Sequence, residues 1–199
     1  MPRIHADNVA EHVAQQRAAL IGSAVALFGE RGYHNVSLAE VASSVGLARN
    51  SVYRYVPDKA NLLVEWFREA APRTRDSWSE ALAGQEPAPE RLGRWAETYL
   101  DWARTSEHQL VGPLADELDS LDAQTRAEVA DLHRSMFEVV AGAVSDAGIP
   151  SGEVSGVVEL LSGLVLGAAR AESGGARARV LRPRLRAAVA AVLAEPTDG

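Results

Sequence analysis

The chain contains no cysteine, so disulfides, thiolate nucleophiles and cysteine-ligated zinc are excluded. Aromatic residues make up only 6% and methionines number two. Alternating β-branched runs are scarce and no Asn-Gly or Asp-Gly pair joins two such runs as a hairpin signal, which argues against strands and hairpins. No apolar stretch is read as reaching the length of a membrane span: Gly156 to Ala169 is interrupted by Glu159 and Ser162. The N-terminus lacks a basic patch followed by an apolar run, so no secretory signal and no membrane partner are expected, and a cytoplasmic location is. Gly-x-Ser-x-Gly, P-loop, His-Glu-x-x-His and Gly-x-Gly-x-x-Gly are all missing. The five histidines, at 5, 12, 34, 108 and 133, have no metal-ligand spacing. No enzymatic activity, metal or cofactor is therefore expected. Internal repeats and low-complexity tracts are also lacking.

What is present is a chain of 199 residues, 47% hydrophobic and 24% charged, enough to bury a core. Its net charge of −7 is unevenly spread. Residues 1–60 carry six basic and five acidic groups, +1, whereas the remaining 139 carry 14 and 22, or −8. An acidic bulk repels nucleic acid except where local contacts overcome it, which restricts any docking orientation.

Helical periodicity dominates. A first helix is expected from about Asp7 or Asn8 to Glu30, with Leu20, Ile21, Ala24, Leu27 and Phe28 in one stripe and Gly32 as its stop. Ser37-Leu38-Ala39-Glu40 reads as a capping box opening a second helix, whose inner face is Leu38, Val41, Ala42 and Val45. Gly46 ends it, and a short third helix covers about Arg49 to Tyr55. Further helices are expected near 58–71, 73–83, 88–105, 107–119, 122–147, 151–172 and 179–194. The first two of these are separated by Pro72 or joined into one bent helix. Pro113 kinks the fourth, and Pro183 falls in the first turn of the last. The fold class is all-α, with about nine to ten helices: a three-helix domain over residues 1–58, then a larger helical domain over 59–199.

Two short helices joined by Gly46-Leu47-Ala48 have helix-turn-helix proportions. Arg49, Asn50, Ser51, Tyr53, Arg54 and Tyr55 stand on or near the exposed side. Arginine suits guanine and asparagine suits adenine in a major groove. By spacing alone the pair could equally be two short helices of a bundle.

From Arg17 to Leu63 the chain resembles the N-terminal domain of the TetR family of transcriptional regulators. The likeness rests on Ala24-Val25-Ala26-Leu27-Phe28-Gly29-Glu30-Arg31-Gly32-Tyr33, on Val36-Ser37-Leu38-Ala39-Glu40-Val41-Ala42, and on Val45-Gly46-Leu47. It continues through Ser51-Val52-Tyr53-Arg54-Tyr55-Val56-Pro57-Asp58-Lys59, with Leu62 and Leu63. The resemblance implies a homodimeric regulator that binds double-stranded operator DNA, with repression as the default sign. Tyr53, Tyr55 and Lys59 would meet phosphates, and Arg49, Asn50 and Ser51 would read bases, with Ser37 and Arg54 nearby. Arg3 could enter a minor groove. The chain departs from the pattern at Ala48, where Ser or Thr usually caps the reading helix. It departs also at Asn50, where Gly is common, and at Val56, where an aromatic residue is usual.

The last two long helices are expected to pair with a twofold mate through Val157, Leu160, Leu161, Leu164, Leu185, Val189 and Val192, with Gly156, Gly163 and Gly167 leaving flat patches. The basic cluster Arg177, Arg179, Arg182, Arg184 and Arg186 is read as solvated, or paired with Asp116, Glu117, Asp119 and Asp122, rather than as a DNA site. Trp95, Tyr99 and Trp102 form one helical stripe. By itself such a stripe reads as core; the resemblance implies that, with Trp66, His108, His133, Met136 and Phe137, it marks a pocket for a small apolar or aromatic ligand, the ring faces also permitting a cation. Binding there would move the DNA-reading domains through the helix starting near Asp58. The alternative from another class is a helical interaction protein that has lost sequence-specific DNA binding.

Overall fold

The computed structural model describes residues 3–194, with side chains from Glu11 onward; the expectation for Arg3 therefore lies outside the described side chains. Among the described residues every regular element is a helix. In order these are α1 (Arg3–Arg31), α2 (Leu38–Ser44), α3 (Lys59–Leu82), α4 (Ala88–Ala103), α5 (Val111–Glu117), α6 (Ala123–Asp146), α7 (Val154–Ser173) and α8 (Ala178–Leu193). Short 3-10 segments lie at Tyr33–Asn35, Arg49–Arg54, His108–Leu110 and Leu118–Ser120. Pro72 does not break the chain, since α3 runs through it as one helix. Pro113 lies inside α5, which is flanked by 3-10 turns at both ends. Pro183 falls beyond the first turn of α8, deeper than its sequence position suggests.

Packing divides the chain into two units, residues 1–69 with 109–129, and 70–108 with 130–199. In the first, Leu20, Ile21, Ala24 and Phe28 of α1 are buried as their spacing requires. The Gly32 amide donates to Phe28 O at 2.8 Å, and Gly32 itself takes φ 81°, a left-handed turn that stops the helix. Ser37 then caps α2 as read. The Glu40 amide donates to Ser37 Oγ at 3.2 Å, and the Ser37 amide donates to Glu40 Oε2 at 2.8 Å. Val41 and Ala42 are fully buried, and Gly46 at φ 74° turns the chain so that the Leu47 amide closes on Ala42 O at 2.9 Å.

This unit extends past residue 58 because the next turns of α3 are spent inside it. Leu62 and Leu63 are buried, and Glu65 pairs with both Arg17 and Arg68. Arg68 also holds Glu128 with two parallel hydrogen bonds of 2.7 Å. The Tyr33 hydroxyl donates to Glu117 Oε1 at 3.1 Å. The α5 segment and the start of α6 thus belong with the N-terminal helices.

In the second unit α4, α7 and α8 pack on one another. Leu92, Trp95, Ala96 and Leu100 of α4 meet Leu161 and Val165 of α7 and Leu185 and Val189 of α8, all buried. Gly93 leaves room for the Arg186 stem, which a Cβ there would approach to 3.5 Å. Arg186 reaches on to Glu97 at 2.7 Å, while Arg182 bonds Asp101 at 2.6 Å and Glu172 at 3.3 Å. Arg104 adds a second cation to Glu172 at 2.9 Å. Two of the five arginines therefore serve α4 and α7 through Glu97, Asp101 and Glu172 rather than acidic partners at 116–122, while Arg177, Arg179 and Arg184 are exposed and in no ion pair among the described residues, as the solvated reading expects. The nearly sealed Glu172 carboxylate explains why two arginines converge on it: a buried charge is tolerated only when paired.

Leu161 is wholly enclosed, so Leu161→Ala is expected to lose about 2–5 kcal/mol in a urea titration. Glu40 is held down to about 2 by the Ser37 backbone and side-chain hydrogen bonds and then by Arg31. A lowered folded-state pKa stabilises above the ordinary carboxylate value, and that contribution fades as pH falls toward 2. The stability gap between the native chain and Glu40→Gln should accordingly narrow in melts taken from pH 5 downward.

Candidate nucleic-acid interface and ligand cleft

The segment expected to read DNA, anticipated as a short helix over about Arg49 to Tyr55, is a 3-10 helix over Arg49–Arg54. Ala48 stands at its cap with no side-chain oxygen to offer. The turn closes by tighter backbone bonds, Ser51 N to Ala48 O at 2.8 Å and Tyr55 N to Val52 O at 2.9 Å. Val52 and Val56 are the buried anchors, at 0% and 1% exposure. Val56 is sealed despite its small size for that position. Arg49, Asn50, Tyr53 and Arg54 are exposed, Tyr53 at 57%, while Ser51 and Tyr55 are half-buried and Ser37 is exposed at the head of α2.

Charge pairing separates these groups from the other described arginines of α1 and α3 in the same unit, although Arg126 on α6 is likewise in no ion pair among the described residues. Arg17, Arg31 and Arg68 of the same unit are each tied to a carboxylate, whereas Arg49 and Arg54 are in no ion pair among the described residues. Two unneutralised guanidiniums, an amide and a phenol on one short element form a surface able to meet phosphates and base edges.

Lys59, the only lysine in the sequence, engages backbone groups of its own unit. Its ammonium donates to Tyr33 O at 3.0 Å and Val36 O at 3.1 Å, and lies 3.9 Å from the centre of the Tyr33 ring. Burial lowers its pKa, offset by Glu117. In this arrangement Lys59 fastens the loop between α1 and α2 to the start of α3. Burial and the Glu117 bond together raise the pKa of the Tyr33 phenol, keeping it a donor.

In the second unit the expected aromatic residues do come together. Trp78 is the hub, with ring centres 4.7 Å from Tyr99, 5.1 Å from Phe137, 5.7 Å from Trp95 and 6.1 Å from Trp102. His108 stacks edge-on to Trp102 at 4.7 Å, and burial lowers its pKa. Burial pushes the Tyr99 phenol up to about 12. Trp78, on α3, is not among the expected ligand residues, although Trp66 of the same helix is.

An open cleft of about 870 Å³ borders this cluster, lined by Tyr99, Ala130, His133, Arg134, Phe137, Glu138, Ala141, Ser151, Val154, Ser155, Val158, Glu159, Ser162, Gly163 and Leu166. Of the expected ligand residues, Tyr99, His133 and Phe137 face it. Trp95, Trp102 and His108 join the aromatic cluster without lining the cleft, and Met136 is buried in the core. Trp66 belongs to the N-terminal unit, where it packs on Phe67 at 5.9 Å.

A second concavity of about 840 Å³ runs along α7 and is lined by Gly152, Glu153, Gly156, Val157, Glu159, Leu160, Gly163, Leu164 and Val192. Leu160 is 62% exposed. Four of the expected interface residues, Val157, Leu160, Leu164 and Val192, thus face outward. Leu161, Leu185 and Val189 do not, because they fill the protomer's own core. The helical period explains the split: an apolar helix of this kind has an inner and an outer stripe. The 20 residues of α7 also prove long and apolar enough to cross a membrane, with a mean hydropathy of 1.5 over a window that is 28% buried. The sequence reading had judged no stretch long enough. In this fold α7 packs against α4 and α8.

Residues 20–66 match the family of bacterial regulatory proteins of the tetR type. The fatty acid metabolism regulator protein of Bacillus subtilis is 23% identical over 135 residues, spanning 68% of this chain and 69% of that protein. A regulator from Saccharomonospora viridis, solved with choline, superposes with a TM-score of 0.70 at 22% identity, covering 89% of this chain and 96% of that one. AibR, solved with isovaleryl coenzyme A and operator DNA, gives 0.70 at 17% identity, covering 87% and 97%. The segment at residues 20–66 is thus similar to the DNA-binding part of tetR-type bacterial regulatory proteins, and the helical fold is one the chain shares with these solved regulators.

Proposed function

We propose that the protein is a cytoplasmic, dimeric repressor that leaves its operator when a small molecule enters the cleft between α6 and α7. The observation that carries the DNA half of this reading is the display of Arg49, Asn50, Tyr53 and Arg54 on one element, the two arginines in no ion pair. Arg49 and Asn50 are assigned to base edges, and Ser51, Tyr53, Arg54 and Tyr55 to the backbone, with Ser37 nearby. Lys59 acts as a positioning residue: its donors are engaged at Tyr33 and Val36. Since one neighbour of the same fold was solved with operator DNA, the docking mode is available to this architecture.

A twofold mate is assigned to the outer stripe of α7 with Val192 of α8. That stripe is acidic toward its N-terminal end, at Glu153 and Glu159. It is basic toward the other end, where the Arg170 guanidinium lies about 4.0 Å from the position a Cβ on Gly167 would take. Antiparallel pairing opposes unlike ends, and Gly156 and Gly163, with nothing within 4 Å of an added Cβ, permit close approach. A dimer of this kind presents two reading elements to successive turns of a duplex.

Ligand release is supported by the aromatic-walled cleft, in a fold whose solved members hold choline and isovaleryl coenzyme A. The alternative of a helical interaction protein predicts no specific DNA complex even at low salt. Selection of bound fragments from a random pool, followed by gel shift, decides between them. Arg49→Ala should lower affinity for the selected operator by about 1–3 kcal/mol and relax preference at one base position, whereas Tyr53→Phe should weaken all sequences alike. Should both variants keep full affinity and specificity, the contact assignment fails. Leu160→Glu, on the exposed stripe, is expected to leave the fold intact and shift sedimentation at micromolar concentration from dimer to monomer; an unchanged dimer would remove α7 from the interface.

A further inference from the structure

We propose that the cleft between α6 and α7 selects an organic cation with a bulky apolar or aromatic body. The proposal rests on reading that cleft as the effector site, and it is carried by the charges on its walls. Glu138 of α6 and Glu159 of α7 both line it, and neither carboxylate is in an ion pair or hydrogen bond among the described residues. The one cation on the lining, Arg134, is already held by Asp131 at 2.6 Å. The walls therefore present two uncompensated negative charges to whatever enters.

Between those charges the surface is aromatic and aliphatic. The rings of Tyr99 and Phe137 line the cleft, backed by Trp78 at 4.7 and 5.1 Å, and Val158 supplies apolar wall. A ring face attracts a cation through its quadrupole, and apolar wall rewards a ligand that sheds water. A carboxylate at the rim supplies the Coulomb attraction without being desolvated itself. An anionic ligand would meet the same two carboxylates and find its only cation engaged. The two solved neighbours hold ligands of different chemistry, so the fold itself does not decide the class. The cleft volume of about 870 Å³ lies within the range of pockets that enclose small organic ligands.

The test uses two probes of nearly equal shape and opposite charge, tetraphenylphosphonium and tetraphenylborate, titrated into the full chain with tryptophan fluorescence as the readout. Trp78 touches both lining rings, so occupancy alters its emission. The phosphonium is expected to bind at least tenfold more tightly than to a Glu138→Gln/Glu159→Gln double variant, while the borate should gain affinity in that variant. Both glutamates are exposed within one chain, and sedimentation of the double variant is recorded beside the titration because Glu159 also borders the trough assigned to the mate; a Glu138→Gln single variant, away from that trough, should show the same direction of change for both probes. The proposal is overturned if neither probe binds, if the phosphonium binds the double variant undiminished, or if the borate binds the native chain more tightly than the variant. Adding each probe to the operator complex separates the two readings. Phosphonium that binds but leaves DNA bound defeats ligand release and leaves the cation assignment standing.

Discussion

The ammonium of Lys59 stands where three segments meet, and the presentation of the reading element depends on it. It binds the carbonyls of Tyr33 and Val36 and rests on the Tyr33 ring, whose hydroxyl in turn reaches Glu117. Those carbonyls belong to the loop that delivers Ser37 to the head of α2. The Ser37–Glu40 reciprocal cap fixes where α2 begins, and the buried pair Val41 and Ala42 fixes its roll. Gly46 then turns the chain into Arg49–Arg54. Each step is short and local, but the chain of steps has one fastening. A lysine with two carbonyl partners and a ring face is an expensive way to use a cation in a protein that must bind a polyanion. Its position makes sense because a loosely held loop would spread the orientations of the reading element, and base contacts tolerate little such spread.

Local signals were the legible part of this fold. The glycine stop at Gly32, the capping box at Ser37 and the turn at Gly46 are set by a few adjacent residues, so the sequence announces them. The missing cap at Ala48 was also visible, and its consequence, a tighter 3-10 turn, follows from the lack of a side-chain acceptor. What the sequence hid was non-local. Pro72 passes through a continuous α3 because neighbouring turns carry Ala70, Ala71 and Trp78 into the core, and that burial outweighs one lost backbone bond. The partners of Arg182 and Arg186 lie more than 80 residues away for Asp101 and Glu97, a pairing no local pattern encodes. The outer and inner stripes of α7 were both apolar, so composition could not tell which leucines face the core; only the packing against α4 and α8 separates Leu161 from Leu160.

The same helix α7 borders two concavities. Glu159 and Gly163 line both the aromatic-walled cleft and the trough along its outer stripe. Anything laid on the trough therefore abuts the rim of the cleft, and anything in the cleft presses on the face that a second copy would use. Linkage requires that such neighbours influence each other in both directions: if a ligand favours the paired form, pairing favours the ligand by the same factor.

The ion pairs fasten one end of α6 as firmly as the other end is packed. The α6 helix carries His133, Phe137 and Glu138 on the cleft wall, and one to three turns earlier it carries Glu128, gripped by both arms of Arg68. Arg68 shares Glu65 with Arg17 of α1, so the start of α6 is fastened to two helices of the N-terminal unit. A helix is stiff over a few turns, and a push against Phe137 is felt at Glu128 without any loop to absorb it. The bidentate clasp is directional as well as strong, because two parallel bonds resist rotation where one would not. In this chain α6 therefore carries both the cleft-lining His133, Phe137 and Glu138 and the Glu128 that Arg68 clasps.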